Sequence, residues 1–182
     1  MRVRAKVLRY LSTIAVTAAA ATALPASAQA AESSAMLPRE GTIRTFAGKC
    51  LDVHRGSQAN GAPIIQYTCG AGKANQRFAF IPVGGGLHKI HTTHTRGKCL
   101  DVANRSTRDE APIIQYSCKP GGSDANQRFR IVADGGDRVI VKTFAGKCFD
   151  VKGASTAVGA PLIQYRCKAS GANANQRFRI VA

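Results

Sequence analysis

One block of sequence recurs three times in this chain, and a chain built that way must either stack equal units or close them around an axis. Gly48-Lys49-Cys50-Leu51-Asp52-Val53 returns as Gly97-Lys98-Cys99-Leu100-Asp101-Val102 and as Gly146-Lys147-Cys148-Phe149-Asp150-Val151, a constant interval of 49 residues. Each block runs on to a second cysteine, through Ile65-Gln66-Tyr67-Thr68-Cys69, Ile114-Gln115-Tyr116-Ser117-Cys118 and Ile163-Gln164-Tyr165-Arg166-Cys167. Each closes on Asn-Gln-Arg-Phe, at Asn75 to Phe78, Asn126 to Phe129 and Asn175 to Phe178.

No long apolar pattern at helical spacing follows residue 30. Instead, β-branched and aromatic residues gather in short runs bounded by Gly, Asn and Pro, which reads as all-β. In the third unit the runs predict strands over 138–143, 147–151, 161–166 and 176–181, and the other two copies repeat them. Three units of four strands make twelve. Short strands must protect their edges, and closing three units around a pseudo-threefold axis does so while building one shared core; other three-repeat arrays satisfy the same argument.

The chain begins with a basic stretch (Arg2, Arg4, Lys6, Arg9), an apolar run to Leu24, and small residues at Ala26-Ser27-Ala28 and Ala28-Gln29-Ala30. That is the build of a secretory signal peptide over residues 1–30, cleaved after Ala28 or Ala30, and it predicts a secreted, extracellular protein with no membrane association after cleavage. Residues 31–41 are polar and aperiodic and read as a short disordered leader. Residues 42–182 form one domain, with repeats at about 42–86, 87–136 and 137–182. All six cysteines fall in the exported segment, where oxidising conditions preserve disulfides. Four basic and no acidic residues lie in positions 1–30, so cleavage lowers the formal net charge from +16 to about +12 and leaves a strongly basic domain.

The ordered Cys-Leu-Asp-Val, aromatic-x-Cys and Asn-Gln-x-aromatic motifs, three times over, resemble the ricin B-type β-trefoil lectin family, whose hallmark is a Gln-x-Trp triplet in each repeat. The resemblance covers essentially all of the chain after the leader. This sequence departs from it by having Phe78, Phe129 and Phe178 where the family has Trp, and it contains no Trp. The resemblance implies a β-trefoil of three four-stranded repeats that binds carbohydrate and carries no catalytic machinery. The identical cysteine spacing predicts the pairs Cys50–Cys69, Cys99–Cys118 and Cys148–Cys167, one per repeat, as the resemblance also implies. Each such bridge is worth about 3 kcal/mol.

A sugar site needs an aromatic face for the C–H side of the ring and fixed donors and acceptors for its hydroxyls. Tyr67, Tyr116 and Tyr165 are the candidate platforms, Asp52, Asp101 and Asp150 the acceptors, and Asn75, Asn126 and Asn175 the mixed partners; in the family these positions line one shallow pocket per repeat. The competing structural reading has Asp capping a turn, Asn making one and Tyr packing on a disulfide. Gln76, Gln127 and Gln176 are supporting residues that orient the aspartates, and strand alternation puts each on the face of its Phe, a core candidate. Galactose-specific members of the family often carry Gln two places before the aromatic. Here Ile65, Ile114 and Ile163 stand there, while Gln66, Gln115 and Gln164 should point away. Between the second and third strands the first and third units have Gly61 and Gly159 but the second has Asp109-Glu110, so its loop should differ in shape and set two carboxylates beside its pocket.

The sequence lacks a nucleophile elbow, a zinc-protease helix and a carboxylate pair outside the repeats, so no enzyme and no cofactor are expected. His88, His91 and His94 alternate faces on one strand and cannot converge on a metal; they read as surface histidines. The rival reading is a basic scaffold for anionic polymers such as wall polyanions or sulfated glycans. Lys49, Lys98 and Lys147 with Arg77, Arg128 and Arg177 recur with the repeat, so the positive field should be spread threefold rather than gathered in one groove. That arrangement predicts weak polyanion attraction without specific nucleic-acid binding. A third reading is a trefoil protease inhibitor. The protein is expected to be a monomer.

Overall fold

The computed structural model describes residues 37–169 and 171–182. The signal-peptide segment lies outside the described residues, as does most of the leader. The first repeat supplies β1 (Glu40–Arg44), β2 (Cys50–Val53), β3 (Ala62–Tyr67) and β4 (Arg77–Pro82). The second supplies β5 (Leu87–Thr92), β6 (Lys98–Val102), β7 (Ile113–Ser117) and β8 (Phe129–Ala133). The third supplies β9 (Val139–Lys142), β10 (Cys148–Val151), β11 (Leu162–Tyr165) and β12 (Arg179–Val181). The four-strand repeat expected from sequence is present three times. The first strand opens at Glu40, two residues before the domain start expected at 42.

Six strands close a barrel. β1 pairs with β4, β4 with β5, β5 with β8 and β8 with β9, and β12 returns to β1, all antiparallel. The Val139↔Phe178 bridge completes the ring. The remaining strands form three hairpins, β2–β3, β6–β7 and β10–β11, which cap one end and touch one another through the Pro63↔Ile114, Ile65↔Pro161 and Pro112↔Ile163 pairs. No barrel edge is left open, which is the physical reason for the closure. This is the pseudo-threefold β-trefoil.

One core fills the barrel and the cap. Phe78, Phe129 and Phe178 are fully buried, as expected, and Phe149 meets Phe129 and Phe178 edge to face, with centroids 5.0 and 6.5 Å apart. Cys50–Cys69, Cys99–Cys118 and Cys148–Cys167 are bridged, each with Cα atoms 5.0 Å apart.

The repeats are also stitched by polar side chains. Gln66 of the first repeat donates to Ser155 O and Ala157 O of the third, both at 2.8 Å. Gln115 of the second donates to Ser57 O and Ala59 O of the first at 2.9 and 3.1 Å, and Gln164 of the third to Ser106 O and Arg108 O of the second at 2.8 Å. These glutamines do point away from the tyrosines, and each clamps the loop of a neighbouring repeat. The clamp corrects the expectation for the second loop. The Glu110 N–H donates to Gln164 O at 2.8 Å, as Gly61 does to Gln115 O at 2.8 Å and Gly159 to Gln66 O at 2.9 Å. Glu110 is thereby held at φ 66°, beside 85° for Gly61 and 86° for Gly159. The loop keeps its shape because tertiary hydrogen bonds override the reluctance of a side-chain-bearing residue to enter left-handed space.

Candidate functional site

Strand register builds the same side-chain cluster on each cap hairpin. In the first repeat Cys50 lies opposite Tyr67 and Asp52 opposite Ile65. Alternation therefore places Cys50, Asp52, Ile65 and Tyr67 on one face and turns Leu51, Val53, Ile64 and Gln66 toward the core. Cys99/Tyr116 with Asp101/Ile114, and Cys148/Tyr165 with Asp150/Ile163, repeat the register. The tyrosines stay accessible, with 39% exposure at both Tyr67 and Tyr116, while Asp52, Asp101 and Asp150 retain only 4, 2 and 2%.

A carboxylate buried this deeply needs partners. Gln76, Gln127 and Gln176 each donate to Oδ2 of their aspartate at 2.8 Å. Each is itself fixed: Nε2 also reaches the carbonyl of Thr68, Ser117 or Arg166, and Oε1 accepts the N–H of Gly70, Lys119 or Lys168. These glutamines orient the aspartates as expected, but from another element. Ala74–Gln76, Ala125–Gln127 and Ala174–Gln176 are single turns of 3-10 helix preceding the last strands. The turn, rather than strand alternation, buries Gln76 beside Phe78. Asn126 and Asn175 donate to Asp101 Oδ1 and Asp150 Oδ1 at 2.6 and 2.7 Å, and to the carbonyls of Val102 and Val151. Among the described residues, Asn75 makes only the carbonyl bond, to Val53 O at 3.2 Å.

The three sites differ in one residue type that sequence reasoning passed over. Lys119 Nζ lies 2.9 Å from Asp101 Oδ2, 3.0 Å from Asn126 Oδ1 and 5.4 Å from the Tyr116 ring centroid. Lys168 Nζ repeats this, 3.0 Å from Asp150, 2.9 Å from Asn175 and 5.5 Å from the Tyr165 ring. The first repeat has Gly70 there, and its Lys73 stem lies 2.7 Å from where a Gly70 Cβ would stand. Lys73 Nζ sits over Tyr67 at 5.2 Å but makes no ion pair with Asp52. Among the described residues, Asp52 Oδ1 has no hydrogen-bond partner. The signal was in the sequence, as the residue after each second cysteine: Gly70, Lys119, Lys168.

The two carboxylates expected beside the second pocket serve the third repeat instead. Asp109 accepts from Lys147 Nζ at 2.7 Å and from the Arg166 N–H at 2.9 Å, and Glu110 pairs with Lys152 at 2.9 Å. The Lys147 hydrogen bond, helped by Arg166 and opposed by burial, holds the Asp109 carboxyl below its ordinary value. In the preceding repeat Asn60 does the equivalent job, reaching Lys98 Nζ at 2.6 Å and the Ser117 N–H at 2.8 Å. The histidines differ from expectation too. His94 lies beyond the end of β5, with Nε2 3.0 Å from Ser57 O, so alternation does not govern it. His88 and His91 are half-buried, and burial lowers both pKa values, with Lys89 adding to the effect at His91. His91 approaches Cys99 and Cys118, but those sulfurs are committed to a disulfide and offer no thiolate to a metal.

The arrangement suits recognition of a polyhydroxylated ring: an accessible aromatic face beside a fixed carboxylate and amide. The model of the ricin-type beta-trefoil lectin domain matches residues 39–178. Comparison with curated proteins returns no match. Among solved structures, the designed threefold-symmetric protein ThreeFoil is similar at 38% identity over 80% of this chain and 99% of its own, with a TM-score of 0.72. The exo-beta-1,3-galactanase 1,3Gal43A from Clostridium thermocellum is 31% identical over 79% of this chain but only 30% of its own, with a TM-score of 0.70. The Macrolepiota procera ricin B-like lectin, solved with lactose, shares the fold at 18% identity, 78% and 93% coverage and a TM-score of 0.62. Repeats, barrel, cap and family model agree: the chain belongs to the ricin-type β-trefoil lectin domain family.

Proposed function

We propose that this protein is a secreted, non-catalytic lectin that binds neutral carbohydrate through the Tyr-Asp-Asn depressions of its cap, and that the first repeat is its principal site. One observation carries the ranking. Asp52 is buried and oriented by Gln76, yet among the described residues no ammonium lies on it, whereas Lys119 and Lys168 already occupy the equivalent carboxylates. A sugar hydroxyl meeting Asp52 Oδ1 makes a charge-assisted hydrogen bond without displacing a protein cation, while one entering the other repeats must share its acceptor. Stacking on Tyr67 supplies the apolar half of the contact. Export rests on the signal-peptide build of residues 1–30.

The test is a neutral-glycan array followed by titration of the best ligand against Tyr67→Ala, Tyr116→Ala and Tyr165→Ala. Tyr67→Ala should weaken binding most, by about tenfold or more, at unchanged thermal stability because the ring is accessible. A larger loss in Tyr116→Ala or Tyr165→Ala would reverse the ranking, and no loss in any of the three would remove sugar from these depressions.

A further inference from the structure

Four of the six cations that recur with the repeat have an acidic partner. Arg77 pairs with Glu40, Arg128 with Asp124 and Arg177 with Asp134, while Lys147 pairs with Asp109 and Lys98 bonds Asn60. Another set of cations stands in facing pairs between strands. Where the last strand of one repeat runs beside the first strand of the next, Arg44 stands directly opposite Arg179, and Arg130 directly opposite Lys142. Like charges facing each other across an antiparallel pair destabilise a sheet, and here the arrangement occurs at two of the three junctions. At the remaining junction the same register pairs His91 with Ala79.

Both like-charge pairs line cavities. Arg44 and Arg179 border one of about 340 Å³ together with Arg138, Arg177 and the exposed ring of Phe46. Arg130 and Lys142 border one of about 510 Å³ with Phe144, Arg128 and the Asp124 carboxylate that Arg128 pairs. Phe46 and Phe144 each stand two residues past Arg44 and Lys142, so the two cavities are pseudo-symmetric copies of one design. Neither contains a Tyr, Asp or Asn of the cap depressions. Arg179 keeps only an exposed partner, Asp137, at 3.1 Å. Beside the cations that recur with the repeat, two junctions thus each set a facing pair of cations along a cavity.

We propose that these two grooves are a second class of binding site, for an acidic polysaccharide whose sulfate or carboxylate groups lie between the paired cations while a sugar ring packs on Phe46 or Phe144. Guanidinium forks match such oxyanions in geometry, and an anion between Arg44 and Arg179, or between Arg130 and Lys142, relieves the repulsion built into the sheet. The aromatic ring selects a sugar polymer over a bare anion. Two related grooves on one molecule favour a long chain with repeated charges.

The experiment measures binding of the protein to dextran sulfate, polygalacturonate, neutral dextran and duplex DNA. Arg44→Ala/Arg179→Ala and Arg130→Ala/Lys142→Ala are compared with a control of equal charge loss at exposed positions, Arg55→Ala/Arg108→Ala. Dextran sulfate or polygalacturonate should bind and neutral dextran should not; which of the two binds more tightly identifies sulfate or carboxylate as the preferred group. Each groove variant should weaken that binding about tenfold or more and the control less than about twofold. Without polymer, the groove variants should melt no lower than wild type, since a repulsive pair is removed. Equal losses in groove and control variants would overturn the proposal in favour of dispersed charge. Duplex DNA bound equally tightly through the same residues would replace the acidic glycan with nucleic acid. Loss of polymer binding in Tyr67→Ala/Tyr116→Ala/Tyr165→Ala would move the ligand to the cap and likewise overturn it, whereas unchanged binding there supports separate grooves whatever becomes of the neutral-sugar reading.

Discussion

Replacing the inter-repeat glutamines by methionine, one at a time, should reveal unequal costs that follow from their partners. Each glutamine is fully buried and donates two hydrogen bonds to carbonyls of another repeat. Methionine keeps the volume but no donor, so two bonds worth about 1 kcal/mol each are lost, and any carbonyl that water cannot reach adds about 1 kcal/mol more. The acceptor ends differ. Gln164 Oε1 accepts from Thr143 Oγ1 at 2.9 Å, whereas the Oε1 atoms of Gln66 and Gln115 are buried without a partner. Removing an unsatisfied oxygen recovers some of the loss, and removing a satisfied one orphans the Thr143 hydroxyl. Gln164→Met should therefore cost about 3–4 kcal/mol and Gln66→Met or Gln115→Met about 1–2, out of a typical total of about 5–15. Urea unfolding at constant m-value measures these differences. Equal losses at the three positions, or a smaller loss at Gln164, would refute this reasoning.

Glu110→Gly should stabilise the protein by about 1 kcal/mol, because it relieves a left-handed residue at the expense of an exposed ion pair of small worth; thermal melting that shows no gain would count against the clamp account of this loop. Asp124 supplies an acid-sensitive element. Burial pushes its carboxyl up, but hydrogen bonds from Arg128 and Lys89 outweigh that and hold it at about 2, below its ordinary 3.8. A depressed carboxylate stabilises the fold above its unfolded pKa and loses that contribution as pH falls through the folded one. Stability should therefore drop between pH 3.8 and about 2, and Asp124→Asn should flatten that stretch of the curve; an unchanged slope would contradict the assignment. Lys119→Ala should strengthen neutral-sugar binding at the second repeat by freeing Asp101, which comparison of the variant with wild type in a Tyr67→Ala background by calorimetry would detect; weaker binding would make Lys119 a ligand rather than an occupant.

The repeat motif makes the strand count, the disulfide pairs, the buried phenylalanines and the Gln-to-Asp contacts legible, because each rests on local spacing repeated three times. What escapes depends on contacts between repeats. Nothing within residues 100–120 shows that Gln164 holds Glu110 in left-handed space, or that Asp109 reaches Lys147. Gln76 reads in sequence as the first residue of a strand because alternation puts it on the face of Phe78, yet it ends the 3-10 turn Ala74–Gln76, which buries it just as well. The facing of Arg44 by Arg179 joins residues from opposite ends of the domain, which the interval of 49 does not relate. The contrast among Gly70, Lys119 and Lys168 is visible in sequence, but only the fold shows that the lysines end on Asp101 and Asp150.

The claim that recognition rests on formed depressions rather than on net charge is tested most directly by neutral-glycan binding measured at low salt and at about 0.5 M salt, where exposed charge attraction is screened within a few ångströms. Wild type should hold its best neutral glycan with little change between the two conditions, and Tyr67→Ala/Tyr116→Ala/Tyr165→Ala should lose it in both while remaining folded. A protein that binds no neutral glycan, or whose binding vanishes in that salt and ignores the three tyrosines, would contradict the account.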